Sequence, residues 1–308
     1  MKTKSTSIYL GLVFVMFLWG LTFVFYKFAF ESFKPISVLM MRLVVSVAFI
    51  YLAAKLLNKL QKVKREDYKY LLLMAFFEPF LYFLGESFGL LYVSSTLASV
   101  MIATIPLIVP IGAFFIFAER LTRLNIFGLF VSTLGVIAVV LAVDAEWGAT
   151  LKGILLMFLA VLAASAYTLL AKKVSSSYNG FTITIWQNFF GIFMFLPIFL
   201  IYDFKDLLNT NPTTNSIYAV LYLAIFGSSV TFIIFTRAVR ELGAAKANIF
   251  ANLIPVFTAI ASFFLLKEEM PLLKLLGIGI VLIGLILSQL KSIKKVSKSK
   301  TIPENIPI

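Results

Sequence analysis

Residues 96–141 recur at residues 245–290 with a constant offset of 149 and no gap. Pro106 falls on Pro255, Glu119 on Glu268, Gly128 on Gly277 and Gly135 on Gly284. Ala98, Ile111, Phe114, Phe115 and Leu124 meet identical residues at Ala247, Ile260, Phe263, Phe264 and Leu273. Each copy reads as an apolar helix with a proline near its middle and an acid at its end, then a second helix carrying two glycines. Register held through a proline, an acid and two glycines marks an internal duplication, so the fold is read as two related halves.

The apolar content decides the solvent. Of 308 residues, 61% are hydrophobic and 13% charged, with a mean hydropathy of +1.01. A soluble chain of this size could not keep that much apolar surface from water. The apolar runs recur near the roughly 20-residue length that spans hydrocarbon, which predicts an all-α integral membrane protein. Zero cysteine removes disulfides, thiolate metal sites and cysteine nucleophiles, and zero histidine removes imidazole bases and ligands. No phosphate-binding glycine–lysine loop is present. The sequence therefore predicts no enzyme, no metal and no cofactor.

Ten spans are predicted, at residues 8–30, 35–57, 70–93, 96–118 and 124–143 in the first half, and at 152–174, 181–202, 216–240, 246–266 and 272–290 in the second. The first run is too long for a signal peptide and ends in Phe, Lys and Glu, so it is read as a retained helix. The halves are residues 1–143 and 152–290, followed by a lysine-rich cytoplasmic tail at 291–308. Basic residues collect in alternate loops: Lys55, Lys59, Lys62, Lys64, Arg65 and Lys69; Arg120 and Arg123; Lys172 and Lys173; Arg240 and Lys246; and the tail. The opposite loops carry Asp144 and Glu146, or Asp203 and Asp206. The positive-inside rule then places both termini in the cytoplasm of a cell with the chain in its inner (plasma) membrane. The net charge of +13 is thus a topology signal and a contact for anionic lipids, not a nucleic-acid surface. Five spans per half also means that the second half enters the membrane from the other face. That is an inverted-topology repeat, the arrangement in which one half rocks against the other around a midplane site.

The chain resembles the EamA-type branch of the drug/metabolite transporter superfamily. The resemblance rests on Trp19-Gly20, on Tyr92, Ser94, Ser95 and Ala98 leading into Pro106, and on Glu119-Arg120, Gly128 and Gly135. The second copy supplies Leu242-Gly243-Ala244-Ala245, Asn248, Asn252, Pro255, Glu268-Glu269, Gly277 and Gly284. It covers nearly the whole chain except the tail, and the second half lacks the Trp-Gly pair. The resemblance implies a central cavity, alternating access, a small-molecule substrate, and helices 5 and 10 packed on the outside or at a dimer contact. Either a monomer or a homodimer fits.

Glu78 and Glu86 in helix 3 are the sharpest candidates, because an ionised acid at the centre of a spanning helix costs about 2.5–3.5 kcal/mol on insertion scales. Their counterparts in the second half are Gly227 and Phe235, so the fold does not demand acids there. Regular helix would set them about 12 Å apart in rise and roughly a quarter-turn apart in rotation. Arg42 lies at similar depth to Glu86, and the two are expected to pair. A fixed salt bridge and a proton- or substrate-sensitive acid are both open readings. Gln187 matches Arg42 and is flanked by Trp186 and Asn188; Asn248 and Asn252 share a face one turn apart before Pro255. Interhelical hydrogen bonding and cavity lining are both open for these amides. Trp19 and Tyr82, with Tyr167, are candidates for stacking or cation–π contacts against ordinary packing. Pro106 and Pro255 are expected to kink or hinge helices 4 and 9, and the paired glycines to permit close helix approach. Glu119, Glu268, Arg237 and Arg240 at helix ends read as caps, snorkelling groups or gate pairs. The expected function is a secondary transporter of small organic metabolites. Export of amino acids, with proton coupling through a carboxylate, leads; uptake or facilitation of another metabolite or a nucleotide-like anion is the alternative. A membrane scaffold or an intramembrane enzyme fits less well.

Overall fold

The computed structural model describes residues 2–141, 150–267, 269 and 271–298. Among the described residues all regular structure is helical. The first half holds α1 (Lys2–Phe30), α2 (Pro35–Leu56), α3 (Arg65–Gly89), α4 (Ser95–Phe117) and α5 (Arg123–Leu141). The second holds α6 (Leu151–Val174), α7 (Gly180–Tyr202), α8 (Thr214–Leu242), α9 (Ala244–Leu265) and α10 (Leu272–Lys298). Eight of these are long and apolar enough to cross a membrane: α1 to α4 and α6 to α9. The remaining two helices, α5 and α10, pack on each other, and α10 carries a shorter apolar stretch over Leu275–Ser288. The result is a multi-pass membrane fold of two five-helix repeats. Asp144, Glu146, Glu268 and the tail beyond Lys298 lie outside the described residues.

Short polar residues set where several passes begin. The side chains of Ser94, Thr150, Asn179 and Thr213 accept from the N–H groups of Leu97, Gly153, Thr182 and Ser216, satisfying donors that hydrocarbon cannot. Gly243, at φ 94°, lets α8 turn at once into α9, a backbone conformation that favours glycine.

The duplication reappears as matched irregularities. In α4 the helix breaks at Ala103 and Thr104 before Pro106, and in α9 it tightens to 3₁₀ geometry over Ile249–Leu253 before Pro255. Both fit the missing proline N–H and the clash of its ring with the carbonyl four residues back. In α3 the chain widens into π-type turns over Phe76–Leu81, and in α8 over Leu223–Val230. The offset of 149 maps 76–81 onto 225–230, so the two wide turns are counterparts. The expectation of regular helix between Glu78 and Glu86 therefore fails: Glu78 has extended dihedrals (φ −142°, ψ 113°) between helical turns, with Pro79 after it.

Helices α5 and α10 run antiparallel, since residues 128 and 135 of one meet 284–288 and 277–281 of the other. A Cβ added at Gly128 would lie 2.3 Å from Ser288 N and 2.6 Å from Gly284 O; one at Gly284 would lie 2.3 Å from Ser132 N. The repeated glycines thus serve close backbone approach, as membrane helices require where lipid offers no hydrophobic drive. Ser132 Oγ donates to Val281 O at 3.3 Å, and Asn125 Nδ2 donates to Ser288 O. The outer faces of this pair, with Phe127, Phe130, Ile283 and Ile286, are exposed, as lipid-facing surface should be. A Gly128→Leu substitution is expected to force the pair apart and destabilise by about 1–3 kcal/mol or more. Thermal unfolding of the purified protein in detergent reads this; an unchanged midpoint contradicts the packing.

Candidate functional site

Beside the wide turn of α3 a cavity of about 60 Å³ opens between the repeats. Its charged lining residues are Arg42 from α2 and Glu78 and Glu86 from α3. All three are 2–3% exposed. Burial on that scale requires partners, and Arg42 has several. Its Nε donates to Ser228 Oγ of α8 and its Nη1 to the Tyr26 hydroxyl of α1. Nη1 also lies 3.8 Å from Glu86 Oε2, beyond hydrogen-bond range but close enough for about 4 kcal/mol of attraction at an effective dielectric of 20. The guanidinium carbon sits 3.9 Å above the centre of the Phe83 ring, a cation–π contact. Tyr82 OH donates to Glu86 Oε1 at 2.9 Å. Glu86 is therefore paired as expected.

The second repeat makes room for this cation. Gly227, the counterpart of Glu78, sits where a Cβ would lie 3.0 Å from Thr22 and 3.2 Å from Arg42 Nη2. The wide turn around it frees carbonyls that other helices then use. Trp19 Nε1 donates to Gly227 O at 3.3 Å; Ser46 Oγ and Asn188 Nδ2 donate to Ser228 O at 3.2 and 3.1 Å.

Glu78 is different. Its Oε1 is buried and, among the described residues, has no hydrogen-bond partner. A buried carboxylate oxygen left so is costly unless something outside the protein meets it.

Of the residues singled out in the sequence, Trp19, Arg42, Glu78, Tyr82, Glu86, Tyr167 and Asn248 line the cavity. Trp186, Gln187, Asn188 and Asn252 do not, and pack against neighbouring helices instead. Asn188 bonds Ser46 and Ser228. Gln187 Oε1 accepts from Tyr167 OH at 3.2 Å, and its Nε2 has no partner among the described residues. Trp186 packs edge-on to Tyr68, 4.9 Å between ring centres, and Asn252 Nδ2 donates to Ser132 Oγ at 2.8 Å, tying α9 to α5. Tyr26, Ser228 and Phe83 were not foreseen. Each belongs to an abundant residue type, and its meeting with Arg42 is visible only once α1, α3 and α8 are packed.

Ties between the repeats lie on both faces. On the face with the basic loops, both carboxylate oxygens of Glu119 accept from the N–H groups of Ala244 and Ala245 at 3.2 and 3.1 Å. They cap the start of α9, where the helix dipole favours negative charge. Lys172 Nζ lies 3.9 Å from Glu119. Nearby, Tyr178 OH donates to Asp67 at 2.6 Å, which pushes the Tyr178 phenol up from its ordinary pKa. On the other face Lys34 meets Asp206 at 2.5 Å, which raises the Lys34 pKa, and Ser37 N–H donates to Asp203 at 3.0 Å. Arg237, by contrast, pairs within its own helix with Glu241.

Two repeats, a buried charged cavity at their junction, and ties across both ends define a membrane transporter. The EamA-like transporter family matches the chain twice, at residues 6–141 and 151–290. The chain belongs to that family. It is 28% identical over 306 residues to the uncharacterized transporter YcxC of Bacillus subtilis (strain 168), covering 96% of this chain and 97% of the relative. It is 26% identical over 252 residues to YetK of the same organism, also an uncharacterized transporter, covering 81% and 76%. An uncharacterized transporter of Archaeoglobus fulgidus shares 26% identity over 270 residues, covering 87% and 93%. A protein of known crystal structure superposes with a TM-score of 0.76 at 13% identity, covering 92% of this chain and 99% of that one, which speaks to the fold.

Removing one partner from a buried pair leaves an uncompensated charge. Arg42→Met is therefore expected to destabilise by about 3–5 kcal/mol, and Arg42→Met with Glu86→Gln to recover much of that loss. Thermal unfolding of the single and double variants checks it; a double variant as unstable as the single would contradict the pairing.

Proposed function

We propose that the protein is a secondary transporter that moves small organic metabolites by alternating access, and that it exports amino acids or related metabolites. It sits in the plasma membrane with both termini in the cytoplasm, as the basic loops favour. The observation that carries the reading is the buried, charged cavity at the junction of two inverted repeats, where rocking of one repeat against the other exposes the same groups to each side in turn. The prolines beside the breaks in α4 and α9 are the proposed hinges, and the Glu119 cap on α9 is a contact such rocking would break. Proton coupling through a cavity carboxylate completes the cycle, since the chain has no histidine to carry a proton. A nucleotide-like anion is a poorer fit. Arg42 is the only cation lining the cavity among the described residues, and its Nε and Nη1 are already engaged, whereas a phosphate calls for several donors.

Proteoliposomes loaded with labelled amino acids are expected to release them faster when an inward proton gradient is imposed. Gradient-independent release would keep the transporter and remove the coupling. No release of any amino acid or related amine by folded protein would overturn the substrate class.

A further inference from the structure

The cavity's two acids are not equivalent. Glu86 has one oxygen bonded by Tyr82 and the other facing Arg42, so its charge is balanced inside the protein. Glu78 is equally buried, lines the same cavity, and presents an oxygen that no described group meets. Among the described lining residues Arg42 and Glu86 face each other, and Glu78 is the acid whose oxygen is left without a partner. Its placement is also distinctive. It interrupts α3 at the wide turn, and broken helices near the middle of transporters are where ligand groups are met. The counterpart Gly227 has no side chain to satisfy it. The surrounding wall is aromatic: Trp19 stands 5.5 Å from Phe232 and 5.1 Å from Phe235, and Tyr167 stands 5.8 Å from Phe232. Aromatic faces attract cations and repel anions.

We propose that Glu78 is the substrate-recognising residue of the cavity and that it seats a protonated amine, with the aromatic wall around the ammonium. This rests on the transporter reading and narrows it. The substrate must carry an ammonium N–H to donate to Glu78 Oε1, and a free carboxylate on the substrate is not required. An anionic or N-acylated metabolite has nothing to offer that oxygen. Glu86 holds Arg42 in place and does not contact substrate.

The test uses purified full-length protein in proteoliposomes and three probes on one skeleton: leucine, its decarboxylated amine isoamylamine, and N-acetylleucine. Binding is followed by tracer displacement and movement by counterflow. Leucine and isoamylamine are expected to bind, and N-acetylleucine to bind at least roughly 30-fold more weakly. Glu78→Gln is expected to weaken both amines by a similar factor without lowering the thermal unfolding midpoint, because no described group is bonded to Glu78 Oε1. Glu78→Asp, which keeps the charge at a shorter reach, is expected to retain part of the binding. Equal binding of amines by wild type and a folded Glu78→Gln variant would overturn the assignment. So would N-acetylleucine binding as tightly as leucine. If N-acetylleucine is moved and the amines are not, transport stands and the amine seat falls. If folded wild-type protein moves none of the three, the amine seat falls together with the export reading.

Discussion

Arg42 is the group on which the rest of the structure depends. A guanidinium buried within a membrane fold is tolerable only if its surroundings are built for it, and four helices contribute to that: Tyr26 from α1, Phe83 and Glu86 from α3, Ser228 from α8, with Arg42 itself on α2. Three of those helices come from the first repeat and one from the second, so the cation also fastens the repeats together. Gly227 is explained by the same need, since a larger residue would press on the guanidinium. The wide turn of α8 supplies Ser228 at the required place and exposes the carbonyls that Trp19, Ser46 and Asn188 use. One buried charge thereby accounts for a glycine and draws on a π-type turn that also serves several interhelical hydrogen bonds.

Duplication and asymmetry divide the labour. The repeats share their breaks, their wide turns and their glycine-packed fifth helices, which are properties of backbone. They differ in what the wide turns present: an acid at position 78 and no side chain at position 227. A symmetric scaffold can swing between two mirrored arrangements, and an asymmetric cavity holds the chemistry in both. The two acids of the cavity are also held differently, Glu86 facing Arg42 and Glu78 presenting an oxygen with no described partner.

The fold was largely legible because its signals are periodic or repeated. The apolar runs located the passes, and the constant offset from Pro106 to Pro255 and from Gly128 to Gly277 disclosed the repeat. The pairing of Arg42 with Glu86 could be read from matching depth. What could not be read was the local winding of α3 and α8, because a π-type turn leaves no composition signal, and Glu78 is displaced from its helical position by that turn. The amides were ambiguous for another reason. Gln187, Asn188 and Asn252 look like cavity groups in sequence, but whether an amide faces a cavity or a neighbouring hydroxyl depends on packing over distances of a few ångströms. Asn248, one turn from Asn252, went the other way and lines the cavity.

The central claim is that one cavity between the repeats is reached from both sides of the membrane in turn. The chain contains no cysteine, so a single cysteine at Thr168 of α6, which lines the cavity beside Tyr167, reports on that directly in the native background. Labelling of Thr168→Cys in oriented vesicles by a membrane-impermeant maleimide should proceed from either face, and substrate should protect against both reactions. Labelling from one face only, under every substrate and pH condition, would contradict alternating access.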